Sequence, residues 1–284
     1  PSCMTLNLGE TVQLTSDYSI DGVGQLHWWT AKGSPVTVTG NGMTTATSGG
    51  NGWVTAQFGN QSDQALIFVN PLAAIQNDRA YEWYETQMGT GDATYYNCGP
   101  ACIHMAIRWY SRQDILIQDI RSLHPRNNGG WYTTDMTGTL DHYQIPYAVH
   151  GVQTKQDILD PLQRGHIVIL CLQMKWISFH RESYTGRFYD FEWGHFLIVK
   201  GATQDGKYFI VYDPFSMTED YDDMGVMLGR NRFYPSEEVL QACTKWWANC
   251  IEIGATPDRS TVDWMNIPVA QAGTTRTVQE GGIE

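Results

Sequence analysis

Positive charge is scarce in this chain. Its 284 residues carry 18 Lys and Arg against 30 Asp and Glu, a formal net charge of -12. Nucleic-acid binders need a basic footprint, so no nucleic-acid partner is expected. Docking on anionic lipid is disfavoured for the same reason. Long apolar runs are missing as well. The longest is a handful of residues, such as Ile167 to Leu172, far short of a membrane span. Cysteine is sparse: Cys3, Cys98, Cys102, Cys171, Cys243 and Cys250 are too few for a disulfide scaffold at this length. Their gaps also lack the paired short spacing of a zinc site. No metal or cofactor is expected. No signal-peptide pattern opens the chain, which starts at Pro1 without an initiator Met, as a processed or trimmed form would.

What is present argues for a folded protein. Apolar residues make up 42% of the chain, with 11 Trp and 15 Tyr, a composition that a disordered chain does not carry. The length suits one large domain or two.

Residues 1–70 read as a small β-sandwich. Thr11 to Thr15, Val36 to Thr39 and Val54 to Phe58 alternate polar and apolar, and Ala65 to Val69 is a buried-type strand. Gly40-Asn41-Gly42 and Gly49-Gly50-Asn51-Gly52 read as separators between them. A module of this kind is usually a binding or spacer domain. A boundary is expected at Asn70-Pro71-Leu72, with a second domain over 71–253 and a tail over 254–284, pinned by Trp264 and Ile267.

The second domain mixes helices and strands. Residues 72–85 read as helical or as an extended lead-in. A helix from Asn97 carries Ala101, Cys102, Met105, Ala106 and Trp109 on one stripe, widened by Ile103, Ile107 and Tyr110. Thr134 to Tyr143, Lys155 to Arg164 and Glu237 to Trp247 read as further helices. Ile167 to Leu172, Phe196 to Val199, Tyr208 to Tyr212 and Cys250 to Ile253 read as strands.

Two stretches carry chemistry. In Tyr96-Asn97-Cys98-Gly99-Pro100-Ala101-Cys102, Cys98 stands where a loop enters a helix, and Pro100 suits a first helical turn. A thiol there feels the positive end of the helix dipole and ionises more readily. The free backbone N–H groups can hold a developing oxyanion, and Gly99 allows a close approach. The bland alternative is a helix start with two small buried cysteines. The second stretch is Trp193-Gly194-His195, followed by Gln204-Asp205-Gly206 and Tyr212-Asp213-Pro214. It reads as a hairpin with His195 and Asp213 at the same end. With the turn near 204–205, residue 195 lies opposite 213 or 214; with Asp205-Gly206 as the turn, the pairing slips by two or three. A carboxylate behind an imidazole holds one tautomer, the arrangement of a general base, although a structural pair looks the same. Nucleophile, base and orienter in one chain favour the catalytic reading.

These motifs resemble the bacteriocin-processing (double-glycine) peptidase-like group of the papain-like cysteine peptidases. The resemblance spans roughly 80–253 and rests on Asn97 to Cys102, Gly194-His195-Phe196 and Asp213-Pro214. The helix and strand around Gly138 to Tyr147 and Leu159 to Leu170 support it. It implies an α+β peptidase domain behind the β module, with Cys98 as nucleophile, His195 as base and Asp213 as orienter. It further implies an upstream glutamine completing the oxyanion hole. Gln87 is the best match, eleven residues before Cys98, a longer gap than in papain-like enzymes; Asn97 is the substitute.

The expected activity is hydrolysis of peptide bonds through a thiol acyl-enzyme, on a peptide or protein substrate. Amidase or transglutaminase-type transfer with the same triad is the alternative, and a non-catalytic binding protein on the same fold is a third reading. No transmembrane segment accompanies the domain, so a bacterial, secreted or delivered protease is expected rather than a transporter-fused processor. The oligomeric state stays open. Trp176, Phe179, Tyr184, Phe188, Tyr189, Phe191 and Trp193 read as an insertion lining a substrate cleft, or as ordinary core and rim aromatics. Glu219 to Asp223 reads as a solvated acidic loop, and His142, His150, His166 and His180 have no metal-ligand spacing.

Overall fold

The computed structural model describes residues 3–16, 26–126, 129–180, 185–217 and 227–254. The acidic loop at Glu219 to Asp223, Tyr184 and the segment holding Trp264 and Ile267 lie outside the described residues. The chain divides into two compact units, the first being 1–72 with 180–185 and the second being the remainder. Among the described residues no helix is long and apolar enough to cross a membrane.

The first unit is all-β. Its strands are β1 (Cys3–Asn7), β2 (Thr11–Gln13), β3 (His27–Thr30), β4 (Val36–Val38), β5 (Met43–Ala46), β6 (Gly50–Phe58) and β7 (Gln61–Asn70). They form a four-stranded sheet, β1-β7-β6-β3, and a three-stranded sheet, β2-β5-β4. Leu6, Val36, Ala46, Val54, Ile67 and Val69 make one apolar cluster drawn from both sheets, which is the packing of a sandwich. Gly50 and Gly52 do not separate strands as the sequence pattern suggests. They open β6, with Gly52 opposite Ile67. Side-chain bulk is excluded there, because a Cβ on Gly52 would fall 2.2 Å from Ser34 Oγ.

The second unit begins with β8 (Ala73–Gln76), so the lead-in is extended and not helical. It continues through α1 (Cys98–Ser111), α2 (Ile117–Leu123), α3 (Thr133–His142), β9 (Tyr147–Gly151), α4 (Gln156–Gln163) and β10 (Ile167–Gln173). The remaining elements are β11 (Gly194–Thr203), β12 (Tyr208–Tyr212), β13 (Arg232–Pro235), α5 (Ser236–Thr244) and β14 (Asn249–Ile253). The sheet runs β13-β12-β11-β10-β14-β9, with β8 also pairing β11, and every pairing is antiparallel.

The central strand β10 is apolar without alternation because both its faces are covered. Ile167, Ile169 and Cys171 join the cluster containing Met105, Ile120, Met136 and Leu140 of α1, α2 and α3. Val168, Leu170 and Leu172 join the cluster containing Ile158, Leu162, Val239 and Ala242 of α4 and α5. Helix α1 is buried along nearly its whole length, as a helix apolar on most sides must be. Tyr110 departs from that pattern at 46% exposure, since it lies off the buried face.

One charge sits inside this frame. Glu252 of β14 is 1% exposed and lies between Val168 of β10 and Ala148 of β9. His150 Nε2 and His166 Nδ1 each stand 2.6 Å from its carboxylate, and Arg164 donates to both its oxygens. Burial alone would raise its pKa. The hydrogen bonds from His150, His166 and Arg164 outweigh burial and bring it down to about 2, from an ordinary 4.5. As pH falls, the unfolded chain takes up the proton first. Stability from this carboxylate is therefore complete above about pH 4.5 and lost as pH falls toward 2. Glu252→Gln is expected to cost about 1–3 kcal/mol at pH 6 and to flatten the acid slope between pH 4.5 and 3. Denaturant titration at the two pH values checks both effects; an unchanged slope would contradict this role.

Candidate active site

Cys98 is the first residue of α1, where a chain of sequence-local bonds delivers it. A short 3-10 turn over Thr94–Tyr96 precedes the helix, and Asn97 O accepts the first helical bond from Ala101 N–H at 2.8 Å. Cys98 is 9% exposed, whereas Cys102, one turn on, is fully enclosed. Trp131 and Met136 close over Gly99, where an added Cβ would meet each at 3.1 Å.

His195 follows the first residue of β11, paired with Leu172 of β10. Four residues, Gln204 to Lys207, join β11 to β12: a turn centred on 204–205 closes with Gly206 N–H donating to Thr203 O, and the strands then pair with Ala202 facing Phe209. A bulge at Lys200 then shifts the register, so that Ile198 faces Tyr212. His195 is thus not directly opposite Asp213. Asp213 instead steps off the end of β12, and its Oδ1 lies 2.7 Å from His195 Nε2. His195 also hydrogen-bonds the Cys98 thiol, and with Nε2 taken by Asp213 the other ring nitrogen is the one left for it.

The three groups set one another's charge. For His195, burial opposes the charged ring. The Asp213 charge and the hydrogen bonds to Asp213 and Cys98 outweigh it, holding the imidazolium up to about 10. For Cys98, burial pushes the thiol up. The hydrogen bond and charge of His195, with the backbone N–H groups of Phe196 and Gly99, bring it below its ordinary value. For Asp213, burial again favours the neutral form, and the His195 charge with hydrogen bonds from His195, Tyr234 and Phe215 N–H keeps the carboxyl low. Cys102, Cys171, Cys243 and Cys250 have no cationic partner, and burial drives them all upward.

Gln87 belongs to the arm before α1, and that arm is stitched to the Asp213 strand end. Tyr84 donates to Asp213 O at 2.8 Å, Thr86 Oγ1 to Pro214 O at 3.0 Å and Ser216 O at 2.6 Å, and Gln87 N–H to Pro214 O at 2.8 Å. Gln87 is fully buried, gives one amide hydrogen to Thr94 O at 2.9 Å and has a second to offer. The side-chain NH₂ of Asn97 is instead turned to Thr90, where it meets Oγ1 at 2.9 Å. The long gap between Gln87 and Cys98 is thus taken up by a folded loop. Gly229 closes the other side: its O accepts from Asp213 N–H at 2.8 Å, and a Cβ on it would lie 2.0 Å from Asp213 O.

The aromatic stretch before His195 divides. Trp176, Phe179 and Trp193 are exposed, while Phe188 and Tyr189 are buried. Tyr189 and Phe191 both meet the imidazole edge-on, with Phe215, which stacks on Phe191 at 5.3 Å, on a further side. Tyr189 and Tyr234 also donate to Asp213 Oδ2. Neither hydroxyl was singled out from sequence; a tyrosine in an aromatic run and one in an edge strand carry no local mark of a distant carboxylate. Among the described residues, no group of three or more His, Cys, Asp or Glu is placed to hold a metal ion.

Residues 75–236, more than half of the chain, match the model of the Peptidase_C39 like family. No curated protein matches the sequence. Among solved structures, a C39-like peptidase from Bacillus anthracis is similar at 10% identity and a TM-score of 0.45, over 66% of this chain and 98% of that one. The peptidase domain of Streptococcus ComA, a bi-functional ABC transporter of a quorum-sensing pathway, is similar at 15% identity and a TM-score of 0.40, over 62% and 100%. A termite-gut GH10 xylanase with a bacterial Ig-like domain aligns with 30% of this chain at 18% identity and a TM-score of 0.23; the chain spans 23% of that protein.

The pairing predicts that Cys98 alkylates selectively. Iodoacetamide, with the labelled peptide identified by mass spectrometry, is expected to modify Cys98 below the pH that ionises a free thiol, about 8.5, and to leave Cys102 and Cys171 unlabelled. His195→Ala is expected to move that profile upward. Labelling of Cys98 like that of free cysteine would contradict the pairing.

Proposed function

This chain belongs to the Peptidase_C39 like family, and we propose that it is a cysteine peptidase in which Cys98, His195 and Asp213 form the catalytic triad. The observation that supports this reading is the unbroken chain from thiol to imidazole to buried carboxylate. A buried ion pair can serve structure alone, as at Glu252; here the series ends in a thiol brought below its ordinary value against burial.

The chemistry follows from those charges. Thiolate and imidazolium coexist near neutral pH, so the nucleophile needs no separate deprotonation. Cys98 Sγ attacks the carbonyl carbon of the scissile peptide bond, and the carbonyl oxygen takes the negative charge. Backbone N–H at the start of α1 and the spare amide hydrogen of Gln87 hold that oxyanion. His195 gives its proton to the leaving amine, and a thioester on Cys98 remains. His195, now neutral, draws a proton from water, whose oxygen attacks the thioester and releases the acid. Asp213 stays ionised throughout and keeps Nε2 protonated, so the nitrogen facing Cys98 is the one that exchanges the proton.

A small peptide library read by mass spectrometry tests this. Cys98→Ala is expected to abolish cleavage while remaining folded, and Cys102→Ala to keep substantial turnover. Gln87→Ala is expected to lower kcat by about 10²–10³-fold. Products are read with and without an added amine, which separates hydrolysis from acyl transfer. Equal loss in Cys98→Ala and Cys102→Ala, with folding intact, would contradict the assignment.

A further inference from the structure

Asp213 divides its hydrogen bonds between its two oxygens. Oδ1 accepts from His195 Nε2 at 2.7 Å and from Phe215 N–H at 2.9 Å. Oδ2 accepts from two phenols, Tyr189 at 2.8 Å and Tyr234. Neither phenol belongs to the hairpin that carries the histidine. Tyr189 reaches in from the segment between β10 and β11, and Tyr234 from β13, where it pairs with Phe209. Asp213 and Tyr234 have no exposed surface, and Tyr189 is buried. No solvent competes for these bonds.

A carboxylate turns freely about its Cβ–Cγ bond unless both oxygens are held, because that torsion has broad wells. Two donors on Oδ2 remove that freedom. Burial, followed by the charge of Asp213, pushes both phenols well above their ordinary range, so both hydroxyls keep their protons and act as donors. The ring of Tyr189 packs separately, against Phe215 at 4.7 Å and edge-on to His195 at 6.0 Å. Hydroxyl and ring therefore do different jobs, and phenylalanine removes only the first.

We propose that Tyr189 and Tyr234 are positioning residues for the reaction assigned to Cys98: together they lock the Asp213 carboxylate so that Oδ1 is presented to His195, and they keep that carboxylate ionised. The inference rests on reading His195 and Asp213 as base and orienter. Without the two donors, Asp213 takes up a proton at higher pH. The imidazolium then loses its counter-charge, and the Cys98 thiolate is lost at higher pH in turn. The acid limb of Cys98 reactivity moves up.

The test is the pH dependence of Cys98 alkylation by iodoacetamide in the full chain, which requires no substrate. Tyr189→Phe and Tyr234→Phe are each expected to raise the midpoint of the acid limb by about half a pH unit, and the double variant by about one, as befits hydrogen bonds to a charged group. Tyr147→Phe is the control. Its hydroxyl donates to Asp141 Oδ2, a carboxylate outside the site, so it is expected to leave the midpoint at the wild-type value. If the double variant does not fold, the single variants decide. Unmoved midpoints in folded Tyr189→Phe and Tyr234→Phe would overturn the proposal, as would an equal shift in Tyr147→Phe, which would mean general loosening. Failure of the underlying triad reading gives a different result: a wild-type profile like that of free cysteine, insensitive to His195→Ala.

Discussion

A carboxylate without water must be answered from within the protein, and Asp213 is such a group, with no exposed surface. Moving an ion out of water costs about several kcal/mol even after relaxation, unless its lone pairs are all met. Here they are met by His195, Phe215 N–H, Tyr189 and Tyr234. Those four donors come from β11, from the turn after β12, from the irregular segment before β11 and from β13. The backbone of the same residue is held by Gly229 and Tyr84. Irregular chain that could adopt many paths is thereby fixed around one charge. The arm that carries Gln87 is ordered by the same strand end.

The charge then passes along the site. Asp213 keeps His195 positive, and His195 brings the Cys98 thiol down against the effect of burial. Four other buried thiols show what burial does unopposed, since all four are pushed up. Position in α1 alone does not account for the difference. Cys102 lies in the same helix, one turn away, and shifts the other way. A partner cation within hydrogen-bond reach decides the sign. Glu252 repeats the principle at a place without a nucleophile, where Arg164 and two histidines keep a buried carboxylate charged and tie β14 between β9 and β10.

Elements governed by local pattern were legible in the sequence. Helix α1, the apolar strand β10, the strand β12 and the α3, α4 and α5 helices each carry their own periodicity or apolar run. Strands β1, β3, β5 and β13 and helix α2 were not legible, and β8 only as one of two alternatives, because short segments with little alternation are specified by their neighbours. Gly52 of β6 reads as a break because its reason is a contact with Ser34, far away in sequence. For the candidate site, motif and family resemblance name Cys98, His195, Asp213 and Gln87; the fold joins the first three, and Gln87 lies on the arm bonded to Pro214 and Thr94. The hairpin register could not, because the bulge at Lys200 obeys the pairing of β11 with β12 and not any local signal. The two phenols on Asp213 lie 24 and 21 residues from it, and side chains that meet only in the folded chain leave no spacing to read.

The central claim is that Cys98 and His195 face one another as an ion pair. The short-wavelength ultraviolet absorbance of a thiolate reports this directly. The wild-type spectrum minus that of Cys98→Ser, taken at pH 7, is expected to show the absorbance of one thiolate per chain. The same difference measured on a His195→Ala background is expected to vanish at that pH. A wild-type chain with no thiolate signal at pH 7, or a signal that survives the loss of His195, would contradict the account.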